Sequence, residues 1–251
     1  MRQVGITETY DPCFVPDWET KLLETNIVIS KELSDEMIEK LLIVQDRVIF
    51  HHTVTGQGGT VLEPNVKTPE FEFSQFEKLV ERGFPISHYV LRLDPVILFN
   101  QECMANVKKT LDLWDGYVKK KNLKIPLRCR VSVIDLYKHV LARLESANIV
   151  LGWKDFTAPQ LVFDEIESIL DKYRGSFTFE CCAEQKFSSG FIERCGCASR
   201  KDLEILSPAD MSQYGEPEKK QRGECMCLAK KQILGVKPGR CPHKCPYCFW
   251  K

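Results

Sequence analysis

The chain has 251 residues, enough for one large domain or two small ones with a substantial core. Its 35 Lys and Arg residues balance 35 Asp and Glu residues, so net charge gives no argument for nucleic acid or a membrane surface. No apolar run approaches the roughly 20 residues needed to span a bilayer, and the opening "MRQVGITETY" lacks the apolar core of a secretory leader, so no membrane partner and a cytoplasmic, reducing setting are expected.

Read in chain order, short β-rich runs alternate with helical stretches. Strands are expected at Val4–Thr7, Asn26–Ser30, Arg47–Val54, Ser87–Leu93, Cys129–Asp135 and Ser176–Cys181. Between them lie helix signals. "SDEMIEKLLIVQ" opens on Ser34, a hydroxyl suited to cap the first turn. "PEFEFSQFEKLVERG" starts on Pro69 and closes on Gly83, the usual Pro-in, Gly-out asymmetry. "NQECMANVKKTLDLWDGYVKKK" and "APQLVFDEIESILDKYRG" carry apolar residues at helical spacing. Strand and helix repeated about six times predict an α/β fold with a parallel sheet, either a partial (β/α)6-type barrel or an open sheet. A β/α unit is expected over residues 1–189 and a cysteine-rich tail over 190–251, where "SPADMSQYGEPEKKQRGE" reads as irregular.

In parallel α/β proteins the site lies at the carboxyl ends of the strands. Those ends read "TETYDP", "TVTGQGGTVLEPN", "RLDP", "SVIDLYK" and "ECCAE". Ordinary solvated loops are the competing explanation. The twelve cysteines weigh against it: Cys13, Cys103 and Cys129 are scattered, but the other nine crowd between Cys181 and Cys248. In a reducing setting such crowding reads as metal or iron–sulfur ligation.

The last of these cysteines form "CPHKCPYC", Cys241 to Cys248. CxxxCxxC offers three close thiolates, whereas iron–sulfur centres are normally held by four. A non-protein ligand would then complete the site. This stretch, with Tyr247 before the last cysteine, resembles the signature of the radical S-adenosylmethionine (SAM) superfamily. The resemblance implies a partial β/α barrel and a 4Fe-4S cluster on Cys241, Cys245 and Cys248. It further implies SAM chelated at the open iron, a 5′-deoxyadenosyl radical that takes hydrogen from a substrate, and an electron donor such as flavodoxin or ferredoxin. That superfamily places the motif after the first strand; here it is permuted to the C-terminus.

Over nearly its whole length the chain also resembles the domain of unknown function 1848 family, with its C-terminal radical-SAM-like cysteines. The matching stretches are "YDPCFVPDW", "TVTGQGGTVLEPN", "RLDPVIL", "VIDLYK", "CCAE" and "QRGECMC…CPHKCPYC". The family's early Arg-Arg pair is replaced here by Glu8-Thr9-Tyr10, and its YCYA ending reads YCFWK. A distant resemblance to spore photoproduct lyase implies a thymine-type or modified nucleobase in DNA as one substrate class. The basic runs Lys119–Arg130 and "EKKQRGE" give that only modest support, since charge runs usually solvate a face.

Several residues become candidates on these grounds. Cys182, Cys197, Cys225 and Cys227, with Cys195 as the alternative to Cys197, could hold a second 4Fe-4S cluster or a zinc ion. Gly58 and Gly59 resemble a SAM-binding glycine stretch, though a plain turn explains them equally well. Arg92 and Asp94 share one strand face, facing SAM or pairing internally. Ser132, Asp135 and Tyr137 fall at the next strand end and could contact ribose hydroxyls or donate a hydrogen atom, Tyr137 being the catalytic candidate. Cys181 and Glu184 are weaker candidates, and His51 and His52 read as packing residues. His243 could shield the cluster, and Phe249 and Trp250 could cover it. The competing functions are a zinc-stabilised binding module and an iron–sulfur electron-transfer protein.

Overall fold

The computed structural model describes residues 2–206, 210–216, 225–228, 230–235 and 239–250. Eight parallel strands form one open sheet in the order β7-β6-β5-β4-β3-β2-β1-β8. The six strands expected from sequence are β1 (Val4–Ile6), β2 (Asn26–Ser30), β3 (Val48–Thr53), β4 (Tyr89–Val96), β5 (Leu127–Val133) and β6 (Phe177–Cys181). They lie side by side in chain order, as in a partial barrel, with no reversal of strand order. Two further strands, β7 (Ile192–Arg194) and β8 (Lys231–Ile233), extend the two edges. Both come after residue 189, so the tail contributes strands to the same sheet as the barrel region.

The first three helices start where a side chain caps them. Ser34 accepts from the Met37 amide at 3.2 Å and opens α1 (Asp35–Val44). Thr68 caps α2 (Pro69–Glu81), which carries proline in its first turn. Asn100 accepts from Cys103 at 2.8 Å to open α3 (Gln101–Lys121), and Asn122 ends that helix in the left-handed conformation. α4 (Lys138–Ser146), α5 (Gln160–Leu170) and α6 (Arg200–Leu206) are the other α-helices among the described residues.

Alternation along the strands splits the core in two. Val28, Phe50, Tyr89, Leu91, Cys129, Val131 and Phe179 face the helices and join the main core with Phe76, Leu111 and Trp114. Ile27, Ile29, Ile49 and Val90 point the other way and pack with Ala198, Leu203, Tyr214 and Leu228 from the tail. Further along that second face the strands turn polar: Arg92, Arg128, Arg130 and Glu180 stand there. Arg128 and Arg130 both pair with Glu180, at 3.0 and 2.6 Å, and Arg128 also bonds Asp202 of α6 at 2.7 Å. A buried four-residue ion network therefore ties α6 across the sheet.

Of the irregular segment expected over 207–224, only 210–216 is described; the basic run 218–224 lies outside the described residues. No helix among the described residues is long and apolar enough to cross a membrane.

Candidate functional site

The carboxyl ends of the strands open into a cavity of about 520 Å³. The loops after β1, β2 and β5 supply Asp11, Lys31 and Asp135 to its wall, and β4 itself supplies Asp94. The tail supplies the rest, and both cysteine sets face the same space: Cys182, Cys197, Cys225 and Cys227 on one side, Cys241, Cys245 and Cys248 on the other.

The 241–250 segment is fastened to the strand ends at several points. His243 Nε2 and Asp11 Oδ2 are 2.9 Å apart, and Asp11 is itself held by Ser30 at 2.5 Å and the Lys31 amide at 2.7 Å. Burial opposes charge on both partners, yet their contact lowers the Asp11 carboxyl and raises the His243 imidazole from their ordinary values. Asn65 donates to the Pro242 carbonyl at 2.7 Å, and Arg143 of α4 donates to the carbonyls of Pro246, at 2.9 Å, and Cys248. Tyr247 is buried and donates its hydroxyl to Glu63, which also accepts from Lys31 Nζ at 2.6 Å. Although burial disfavours the Lys31 ammonium, the Glu63 carboxylate keeps its pKa above the usual lysine value. These contacts aim three thiols into one cavity. Cys245 is buried, Cys241 and Cys248 are half-buried, and burial raises the Cys241 thiol.

The second cysteine set is compact. The sulfurs of Cys182, Cys225 and Cys227 lie within 4.8 Å of one another, and Cys197 contacts Cys182 and Cys227. Hydrogen bonds from Cys182 and Cys227 hold the Cys225 thiol down at about 3, and bonds from Cys182 and Cys197 hold Cys227 at about 7. Cys182, the shared donor, is pushed well up. The neighbouring thiols thus favour the thiolate of Cys225, the form that binds metal. Cys195 is turned away, its sulfur accepting from Arg130 Nη2 at 3.3 Å.

Arg92 and Asp94 form the internal ion pair that was one of their two readings, and they do so on the cavity wall. Ser132 donates to Asp94, so the three make a connected polar strip. Asp135 and Tyr137 line the cavity too. Tyr137 packs its ring on Phe156 and Phe249, with centroids 4.9 and 4.6 Å away, and Trp250 continues the aromatic side.

Other candidates lie elsewhere. Gly58 and Gly59 are absent from the cavity wall. A side chain at Gly58 would place its Cβ 1.9 Å from the Lys67 carbonyl oxygen, so the glycine serves the loop's own folding. Cys181 belongs to the main core, and Glu184 accepts from the Val133 amide at 2.9 Å. His52 sits in the core between Tyr89 and Glu72. His51 faces the other side, fully buried with neither ring nitrogen hydrogen-bonded; burial, with Arg130 and Arg92 nearby, holds it neutral.

Sequence reasoning missed Asp11, Lys31, Glu63 and Arg143 as individuals. Asp11 and Glu63 stood inside the strand-end stretches singled out, but their partners are 232 and 184 positions away. The inward Arg128, Arg130 and Glu180 had a usable signal: charges alternating on strands otherwise apolar throughout.

Among known proteins, neither a curated protein nor a solved structure matched the chain. A family model did, Domain of unknown function (DUF1848), over residues 16–250. With all but the first 15 residues and the last one inside that match, the chain belongs to the DUF1848 family.

Proposed function

We propose that the chain is a radical SAM enzyme whose cluster sits on Cys241, Cys245 and Cys248. The observation that carries this reading is the shared cavity: three thiols of a CxxxCxYC segment and polar residues from four strand ends face one 520 Å³ space. The donor set fits a cluster with one iron left open, since three soft thiolates are available from this segment and no fourth cysteine lies within it. When bound, the group supplies the electron that splits SAM into methionine and the hydrogen-abstracting 5′-deoxyadenosyl radical.

The chain's own residues bind, orient and exclude water. Asp11, Glu63 and Arg143 hold the cysteine loop in place through His243, Tyr247 and two backbone carbonyls. Arg92, Asp94 and Ser132 offer a carboxylate-binding and hydroxyl-binding strip to SAM. Tyr137, Phe249 and Trp250 give an aromatic wall that suits a planar ring and keeps water from the reacting atoms. A nucleobase of the thymine type is the substrate class that wall favours, with a flavodoxin or ferredoxin as electron donor.

The test is anaerobic reconstitution with iron and sulfide, followed by SAM and a strong reductant. 5′-Deoxyadenosine formed by the wild type and lost in Cys245→Ala supports the reading. An iron-loaded protein that leaves SAM intact, with thymidine-containing DNA present as well, ends it.

A further inference from the structure

A second feature stands apart from the terminal cysteines, at the seam of the open sheet. β7 and β8 are its two edge strands and do not pair with one another. Cys182 follows β6, Cys197 follows β7, and Cys225 and Cys227 precede β8. Residues flanking the two edges nevertheless meet. The Leu228 amide donates to the Ala198 carbonyl at 2.9 Å, and the Cys197 amide donates to Cys227 Sγ at 3.1 Å. A Cβ on Gly196 would lie 2.6 Å from Cys227 Cα, an approach only glycine allows.

We propose that Cys182, Cys197, Cys225 and Cys227 hold a single tetrahedral zinc ion that rivets the two edges of the open sheet together. Spacing carries the argument. A zinc–sulfur bond of about 2.3 Å places tetrahedral thiolates about 3.8 Å apart. The sulfurs of Cys182, Cys225 and Cys227 already lie within 4.8 Å of one another; Cys197 stands outside that group, beside Cys182 and Cys227, with its amide donating to Cys227 Sγ at 3.1 Å. A four-iron cluster gives each thiolate its own iron and spreads the four sulfurs wider. With Cys195 turned to Arg130, the group numbers four, which fills zinc and leaves no open position. The role is therefore structural.

Binding releases to solvent the protons that the four thiols still carry and changes no oxidation state. The negative charge left on the zinc tetrathiolate lies within the fields of Arg92, which reaches Cys197 and Cys182, and of Lys231, which reaches Cys227 and Cys197, although each also pairs with a carboxylate, Asp94 and Glu8. This site does not depend on the radical SAM reading, because none of its ligands belongs to the terminal motif.

The experiment measures zinc, iron and acid-labile sulfide in the full chain, expressed with both metals and purified without oxygen. One zinc per chain is expected in the wild type, in Cys245→Ala and in Cys195→Ser, and its loss in Cys227→Ser with a fall in thermal midpoint. Zinc-edge X-ray absorption of the wild type, which needs no variant to fold, should show four sulfur ligands. Iron and sulfide persisting in Cys245→Ala, no zinc in the wild type, or nitrogen and oxygen in the zinc shell would each overturn the proposal. Loss of SAM cleavage with zinc retained would strike the proposed function alone.

Discussion

Asp11 and His243, 232 positions apart in the chain, meet at 2.9 Å at the mouth of the sheet. The contact joins the first strand-end loop to the middle of the terminal cysteine motif. It makes the cysteine loop's position a property of tertiary packing rather than of local sequence.

Asp11→Asn and His243→Ala are each expected to cost about 2 kcal/mol, the scale of a hydrogen bond to a charged group. The double variant should cost less than the sum by about 1 kcal/mol, because both remove the same contact. Denaturant unfolding of the four proteins measures this, and strict additivity would mean that the pair does not act as a unit.

Asp202 sets an acid limit on stability. Burial alone would raise its carboxyl, but Arg130 and Arg128 hold it below the ordinary range. A lowered carboxyl contributes stability that is present above its unfolded value, about 3.9, and is lost as pH falls through the folded value. Asp202→Asn should therefore destabilise by about 3–5 kcal/mol at neutral pH, since it leaves buried guanidinium charge short of a partner. The gap to wild type should close in acid; urea unfolding from pH 7 downward follows it.

Glu63 serves two donors, and its variants should separate them. Tyr247→Phe removes one hydrogen bond and is expected to cost about 1 kcal/mol. Glu63→Ala strands the Lys31 ammonium as well and should cost about 3 kcal/mol or more. Cys245 is 3% exposed, so its alkylation rate reports whether the segment has lifted. The rate should rise more in Glu63→Ala than in Tyr247→Phe.

Two glycines should respond in opposite directions. Gly58→Ala drives a Cβ to 1.9 Å from the Lys67 backbone oxygen and is expected to cost about 1–3 kcal/mol. Gly116 is exposed in α3, and a methyl group added there would meet nothing within 4 Å, so Gly116→Ala should stabilise by about 0.5–1 kcal/mol. Thermal midpoints of the two variants test both signs.

β2 to β6 were legible because each is a run of five to eight largely apolar residues. β1, β7 and β8 have three residues each; β1 showed as an apolar VGI run, whereas β7 and β8 carry charged or polar residues and pair through distant partners. α4 was hidden because Tyr137 and Lys138 follow the fifth strand so closely that "VIDLYK" reads as a strand end. The second cysteine set was drawn from the crowding of cysteines and the family resemblance, with Cys195 kept as the alternative to Cys197; the contact of Arg130 with Cys195, which separates the two, is encoded by no local pattern. The glycine stretch shows the opposite failure. Its composition suggested a ligand loop, while its geometry is set by the Lys67 backbone and its contribution to the cavity region comes through Glu63.

The pairing of β1 with β8 has a consequence for how the molecule is made. Val4 lies in register with Lys231, so β1 leaves the ribosome well before the segment that covers its outer edge has been made. Closing so long a loop is entropically slow. During synthesis that edge offers unpaired backbone groups to any other extended chain. A cell producing this protein would therefore have to guard a nascent strand edge for the whole interval between synthesis of β1 and of β8.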